Sequence, residues 1–478
     1  MLHLTPILVL AAALGMPQGA HPAGPIPESP ALTALQARIA RAAPGDTIEV
    51  APGTYVGHLV IDRPVSLVAH QGQERPVLDA GGRGDVVEIK GENVTLRGFT
   101  IQRTGIDLDG ENVGVRVLAA GATIEDNIFR DVLFGIDCKA APRCTIRHNV
   151  IGGKDLDIAR RGDAIRLWRS DNTLIEGNTM RDGRDAILWY SQGVIVRDNI
   201  AEHCRYGFHL MFSNNVVLER NTLVGNSVGV YFMYSTGVTL HDNRILQNRG
   251  PSGFGIGLKD TDAFDIQHNT ISGNRVGIYI DNSPVVKTPG VLIAHNVISV
   301  NDAGMQFLPS VKGNTLTEND FIDNIEQVSI LGRGELTGNE FDLNGRGNFW
   351  SDYSGYDLAG DGVGDSEYES HHLFESLIDR EPKLRLLLFS PAQQAIEFVG
   401  RALPAVQPEA KFYDPSPLMK PSNVFAVGAA APHNTGAAAL ALLLIAGSVA
   451  LAAFGLPHRL VARLRRPSTS ATPAGVAP

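Results

Sequence analysis

Cysteine is nearly missing from this chain: three residues in 478, Cys138, Cys144 and Cys204. An odd count excludes a full disulfide framework. Cys138 and Cys144 are close enough in sequence to bridge in an oxidising compartment, which leaves Cys204 alone. Aromatic residues are only 6% of the chain, while glycine stands at 51. That balance disfavours helical bundles and suits many short strands joined by tight turns. Positive charge is also short, with 41 Lys and Arg against 51 Asp and Glu and a net charge of −10. No basic surface for nucleic acid is expected. A Gly-x-x-x-x-Gly-Lys-Ser/Thr phosphate loop is absent too, so the chain has no such site of its own for hydrolysing ATP.

Long apolar runs are missing from the body and sit at the two ends. Leu4 to Leu14 has the length of a signal-peptide core, with small residues near Gly19 and Ala20, and residues 1–22 are expected to be a signal peptide. Its leading segment carries His3 but no Lys or Arg. Ala437 to Leu456 is uncharged and long enough to cross a bilayer. Arg459, Arg463, Arg465 and Arg466 follow at once, which puts the tail 457–478 inside and the body outside the cytoplasm. A Pro- and Ala-rich linker, 421–436, precedes the span.

What fills the body is a repeat. Ile124-Glu-Asp-Asn127-Ile-Phe129, Ile146-Arg-His-Asn149-Val-Ile151 and Ile175-Glu-Gly-Asn178-Thr-Met180 are copies of one unit. It continues at Asn199, Asn221, Asn243, Asn269, Asn296, Asn319 and Asn339, with a basic step near 22 residues. That step is the coil of a parallel β-helix, not a 33- or 34-residue helical repeat. Each Asn is expected to take the left-handed conformation at a sharp bend, and to stack on its neighbours through side-chain hydrogen bonds. Apolar residues recur three before and two after each Asn, from Ile124 and Phe129 through Ile293 and Ile298. Such period-two positions face inward. The expected architecture is all-β, a right-handed parallel β-helix over 47–345. It has an N-terminal cap over 28–46, with helical spacing at Leu32–Ala42. A closing block with a short helical extension covers 346–420, the helix reading over Glu381–Val399 with a break near Ser390-Pro391.

Counting back from the Asn positions exposes an unusual outward stripe. Ile165, Leu167, Phe208, Leu210, Val230 and Phe232 face in, and the positions that should face out hold Trp168, Trp189, Met211 and Met233, then Lys259. Arg169, Tyr190, Phe212 and Tyr234 border them, with His209 and Tyr231 on the other side. Three readings stand: a docking surface for a partner, a Cu(I) site built on paired thioethers and an imidazole, or plain core turned inward by a bulge. Elsewhere Asp357, Asp361 and Asp365 match positions one, five and nine of a calcium loop, but Ala359 and Tyr368 break the pattern, so a metal-free Asp/Gly turn competes. His268 and His295 share a register, His203 adjoins Cys204, and His371-His372 lies beyond the coils. Asp163 and Asp185, one coil apart near Arg166 and Arg184, are the best carboxylate pair for sugar chemistry. The Asn-Thr-Asp, Gly-His-Gly and Arg-Ile-Lys motifs of polygalacturonases are absent.

The coils resemble the carbohydrate-binding and sugar-hydrolase type of β-helix. Three blocks resemble the NosD family more closely: Gly347-Asn348-Phe349-Trp350-Ser351-Asp352-Tyr353 through Asp365, Leu386-Leu-Leu-Phe-Ser-Pro-Ala392, and Asp414-Pro-Ser-Pro-Leu-Met419. The resemblance runs from about Leu32 to Pro421. It implies a periplasmic, non-enzymatic accessory protein for maturing nitrous oxide reductase in denitrification. The partners it implies are an ABC transporter's membrane subunit and ATPase, a copper chaperone lipoprotein and the reductase itself, whose copper-sulfur centre is assembled. Copper would then be a transient passenger. The C-terminal span is a departure from the family, adding the inner membrane as a partner. The competing classes are a polysaccharide lyase, hydrolase or epimerase, and a surface sugar-binding module.

Overall fold

The computed structural model describes residues 28–423 apart from 287–290, 333, 371–372, 388–389 and 404–409. The expected signal peptide, linker, span and tail, and His371-His372, lie outside the described residues. Among the described residues no helix is long and apolar enough to cross a membrane.

The chain winds as a right-handed parallel β-helix. Each coil gives one short strand to each of three parallel sheets, which hold 12, 13 and 12 strands among the described residues. The first coil runs through Thr47–Val50, Thr54–Val56 and Leu59–Ile61, and Ser66–Ala69 then pairs with Thr47–Val50 to begin the second. A parallel pair needs a long return connection, and here the other two sides of the coil provide it. The inward columns follow the apolar pattern. Ile124, Ile146, Ile175, Val196, Leu218, Leu240, Ile266 and Ile293 pair in register and are buried. On the outer face of the same sheet, charges alternate: Arg147 pairs with Glu125 at 3.0 Å and Arg197 with Glu176 at 2.7 Å.

The repeated Asn works differently from the expectation. The left-handed residue is the one before it: Asp126, His148, Gly177, Asp198, Arg220, Asp242, His268, His295 and Glu318 all have φ between 50° and 62°. The Asn itself is buried in the turn, where its amide serves as a rung. Asn221 shows the pattern. Its Nδ2 donates to the Val196 carbonyl and to Asn243 Oδ1, both at 3.0 Å, and its own Oδ1 accepts the backbone N–H and Nδ2 of Asn199. A second correction concerns Asn339. The ladder passes from Asn319 to Asn348, and Asn339 instead pairs with Asn314 at another corner.

All three corners use this device. At the corner after the second strand, Asn226, Asn248, Asn274, Asn301 and Asn324 form a second amide ladder, and Cys204 stands where the preceding rung would be, its N–H on Asn226 Oδ1. At the third corner hydroxyls replace amides: Ser170 N–H donates to Ser191 Oγ, Ser191 to Ser213, and Ser213 to Ser235.

Both open ends are closed. Helix α1, Pro30–Arg41, begins with the Ser29 hydroxyl accepting the Leu32 N–H and lays Leu32, Leu35 and Ile39 over the first coil. At the other end Trp350 stacks between Phe321 and Tyr368, at 4.3 and 4.6 Å, with Phe341 and Phe412 beside it. The buried Asp414 carboxylate accepts the Asn348 N–H and the Trp350 indole N–H, both at 2.8 Å. The extension is more broken than expected: α2 spans Leu373–Arg380, a six-residue 3₁₀ segment covers Pro382–Leu387, and α3 runs Pro391–Ala402.

Candidate functional site

The outward stripe lies on the third sheet. Strands Ile165–Trp168, Asp185–Trp189, Tyr206–Met211, Val228–Met233 and Phe254–Lys259 are neighbours there, and Trp168, Trp189, Met211, Met233 and Lys259 pair in one register column. A bulge exists, with one extra residue between Tyr206 and His209 opposite Asp185–Ile187. It lies upstream of the column. The reading of the stripe as inward core therefore fails: Ile165, Leu167, Phe208, Leu210, Val230 and Phe232 fill the interior, Trp168 is 37% exposed, and the other three are half-buried. Arg169 places its guanidinium 5.0 Å from the centre of the Trp168 ring.

Next to the stripe the bend is lined by aromatics. Tyr190, Phe212 and Tyr234 each hold φ between 52° and 53°, a region bulky side chains avoid. Their rings stack at 5.0 and 4.9 Å. Stacking of this kind recovers about 1 kcal/mol per pair, comparable with the strain of the backbone.

On the other side His209 is nearly buried, at 8% exposure. Its Nδ1 lies 3.4 Å from Asp185 Oδ2 and its Nε2 lies 3.3 Å from the Met233 sulfur. Tyr206 meets the imidazole edge-on at 5.0 Å, and Tyr231 lies alongside at 6.4 Å. Asp185 is fully buried. Burial acts to raise its pKa, but hydrogen bonds from His209 and Arg205 outweigh it and hold the carboxylate below its usual range. The Nδ1 proton is thereby held toward Asp185, which turns Nε2 toward Met233 and fixes the ring. Imidazole and thioether are donors that suit Cu(I), a soft ion. Among the described residues no group of three or more His, Cys, Asp or Glu could hold a metal ion, so any grip here depends on the thioethers.

The carboxylate pair is not open to substrate. Asp163 is 1% exposed and bound by Arg184 Nε at 3.0 Å. Burial pushes its pKa up to about 6, with Arg184 opposing and Asp185 reinforcing. One coil toward the N-terminus, Asp137 is buried between Arg116 and Arg166, each at 2.8 Å. This charge cluster is closed on itself, as in a structural ion-pair network.

The remaining candidates settle into local roles. Asp357 accepts N–H groups from Gly360, Asp361 and Gly362, Asp361 accepts from Val363, and Asp365 from Leu358. The three carboxylates thus brace their own loop, the geometry of an Asp/Gly turn. Cys138, Cys144 and Cys204 are buried and unbridged. Burial pushes the Cys204 thiol up to about 12, so it is protonated at neutral pH and a poor metal ligand. His268 and His295 stack at 5.0 Å on the outside of the bend. Sequence reasoning missed the second amide ladder, although its signal was there: Asn226, Asn248, Asn274, Asn301 and Asn324 each follow a repeat Asn by five residues. It also missed the roles of Arg205, which binds Asp185 one coil away, and of Asp414, which binds Asn348 across 66 residues.

The family model described as "Periplasmic copper-binding protein (NosD)" matches residues 147–355. A protein of Pseudomonas aeruginosa named "Probable ABC transporter binding protein NosD" is 30% identical over 392 residues, covering 78% of this chain and 87% of its own. One of the same name from Stutzerimonas stutzeri is 29% identical over 395 residues, covering 77% and 85%. Among solved structures, an alginate lyase has a TM-score of 0.46 at 16% identity, covering 65% of this chain and 81% of its own. The A-module of a mannuronan C-5 epimerase from Azotobacter vinelandii has a TM-score of 0.42 at 17% identity, covering 64% and 92%. The repeat, the closing blocks and the relatives that match most of the chain converge on one conclusion: the chain belongs to the NosD family.

Proposed function

We propose that the chain is a periplasmic accessory protein in the maturation of nitrous oxide reductase. It works beside an ABC-type transporter in assembling the reductase's copper-sulfur centre and supplying it with copper. The family description and the names of the relatives support the setting. One observation carries the reading to particular residues: the His209 imidazole, oriented by a buried carboxylate, meets the Met233 sulfur at 3.3 Å on an outward aromatic and thioether stripe. Copper is cargo here, not a resident cofactor. Few soft donors at a surface suit a metal that must leave again, and the flanking Trp168, Trp189 and Tyr231 suit a protein partner at the same place. The partners are the transporter's membrane subunit with its ATPase, a copper chaperone lipoprotein and the reductase, and residues 437–456 tether the chain to the inner membrane. Movement of the transporter changes partner affinity only if the stripe makes different contacts in two states.

Two measurements test this. Met211→Ala with Met233→Ala is expected to weaken Cu(I) binding at least tenfold in competition with a colorimetric chelator, the fold remaining intact by circular dichroism. A strain lacking the chain is expected to yield reductase without a complete copper-sulfur centre. Unchanged Cu(I) binding removes the stripe as the metal site, and a complete centre in the deletion strain removes the maturation role.

A further inference from the structure

Helix α3 is amphipathic the wrong way round for a helix packed on a protein. Its inner side is thin: Gly400 is buried where a Cβ would meet the Leu373 Cβ of α2 at 3.0 Å, and Ile396 is half-buried. Its outer side carries Ala395, Phe398, Val399, Ala402 and Leu403, spaced at i, i+3, i+4, i+7 and i+8, all exposed. Phe398 is 66% exposed, and in the preceding 3₁₀ segment Leu386 is 89% exposed. Apolar residues at helical spacing normally face a core, and a contiguous exposed set marks an interaction surface.

We propose that this face lies in the interfacial layer of the lipid bilayer, so that the C-terminal end of the solenoid rests on the membrane and is not merely tethered to it. The inference rests on the reading of residues 437–456 as a membrane span. Thirteen residues, fourteen chain steps, separate Asn423, the last described, from Ala437. At ~3.5 Å per residue that stretch reaches at most about 50 Å, so the span would hold the closing block within reach of lipid. The stripe itself carries no charge and no hydrogen-bonding side chain, and Lys383 stands 89% exposed near Leu386, with its ammonium 3.9 Å from the Glu381 carboxylate. Such a face suits acyl chains, with a basic residue at the level of the headgroups.

The test uses the full chain in nanodiscs whose lipids carry bromine on the upper acyl carbons. Phe398→Trp is compared with the unsubstituted chain, whose three tryptophans give the background. At least half of the added emission is expected to be quenched, and more by bromine near the headgroups than near the bilayer centre. Leu386→Trp is expected to behave alike, and circular dichroism checks the fold of both. Added emission indifferent to bromine overturns the proposal, whether the face is then covered by the chain's own apolar run, by a second copy or by a transporter subunit. Carbonate washing separates this from the tether. A chain that stays in the membrane but shows no quenching loses the interfacial face alone. A chain that washes out without quenching loses both, and quenching in a chain that washes out supports the face without the span.

Discussion

Taking one amide out of a buried ladder costs more than the bonds it made, because the backbone N–H of the previous rung is left facing nothing. Asn221→Ala removes two bonds from Nδ2 and orphans the backbone N–H of Asn199, whose Nδ2 keeps the Ile175 and Arg197 carbonyls. A loss of about 1–3 kcal/mol is expected from orphaning one buried donor, read from urea unfolding. Asn339→Ala, at a half-exposed corner, is expected to cost about 1 kcal/mol. The opposite sign is expected at Val300, a β-branched residue at φ +55° and 60% exposed. Val300→Asn is expected to raise stability by about 1 kcal/mol, since Asn tolerates this conformation, and an unchanged or lower urea midpoint would count against the strain. At this scale the sequence was half legible. The period located the rungs. It did not say that the left-handed strain falls on the residue before each one, because a bend needs both a strained residue and a buried acceptor and either assignment fits the spacing.

The closing element is where stability meets pH. Burial pushes Asp414 up to about 6, against the hydrogen bonds from Asn348 and Trp350 that favour its charged form. A carboxyl whose folded pKa lies above its unfolded value of about 3.9 binds more protons folded than unfolded in that window, so stability falls as pH rises through it. Asp163, also pushed to about 6, adds to the same slope. Carboxylates held low by arginine, such as Asp79 and Asp198, contribute stability that is fully present above about pH 4 and lost below it. The chain is therefore expected to melt at a higher temperature near pH 4.5 than near pH 7, with Trp350 emission changing around pH 6. A melting temperature that rises from pH 4.5 to 7 would contradict this. The closing blocks were visible as family-like segments, but not their mechanics. Asp414 reaches Asn348 across 66 residues, and no local pattern records such a contact.

Within the described coils the solenoid is close to one-dimensional, each strand pairing only with the strands of the coils before and after it. Deleting residues 217–238, one full turn by the register Val217↔Thr239, is expected to leave a folded, shorter solenoid. Far-ultraviolet circular dichroism should keep its β signature, whereas deleting only 217–227 should abolish it, because every later residue then sits on the wrong side. This global plan was the most readable part, since a fixed step with constant inward positions admits few architectures. The rungs Asn127 through Asn348 also share one direction, each N–H pointing at the next carbonyl oxygen toward the C-terminus. Their moments therefore add instead of cancelling, much as peptide dipoles sum along an α-helix. The column behaves as a wire with its positive pole at the closing end, and the Asp414 carboxylate terminates that pole. Because such a pole is set by its last rungs, removing the Asn319 amide is expected to make Asp414 a weaker acid, with no contact altered at the carboxylate itself.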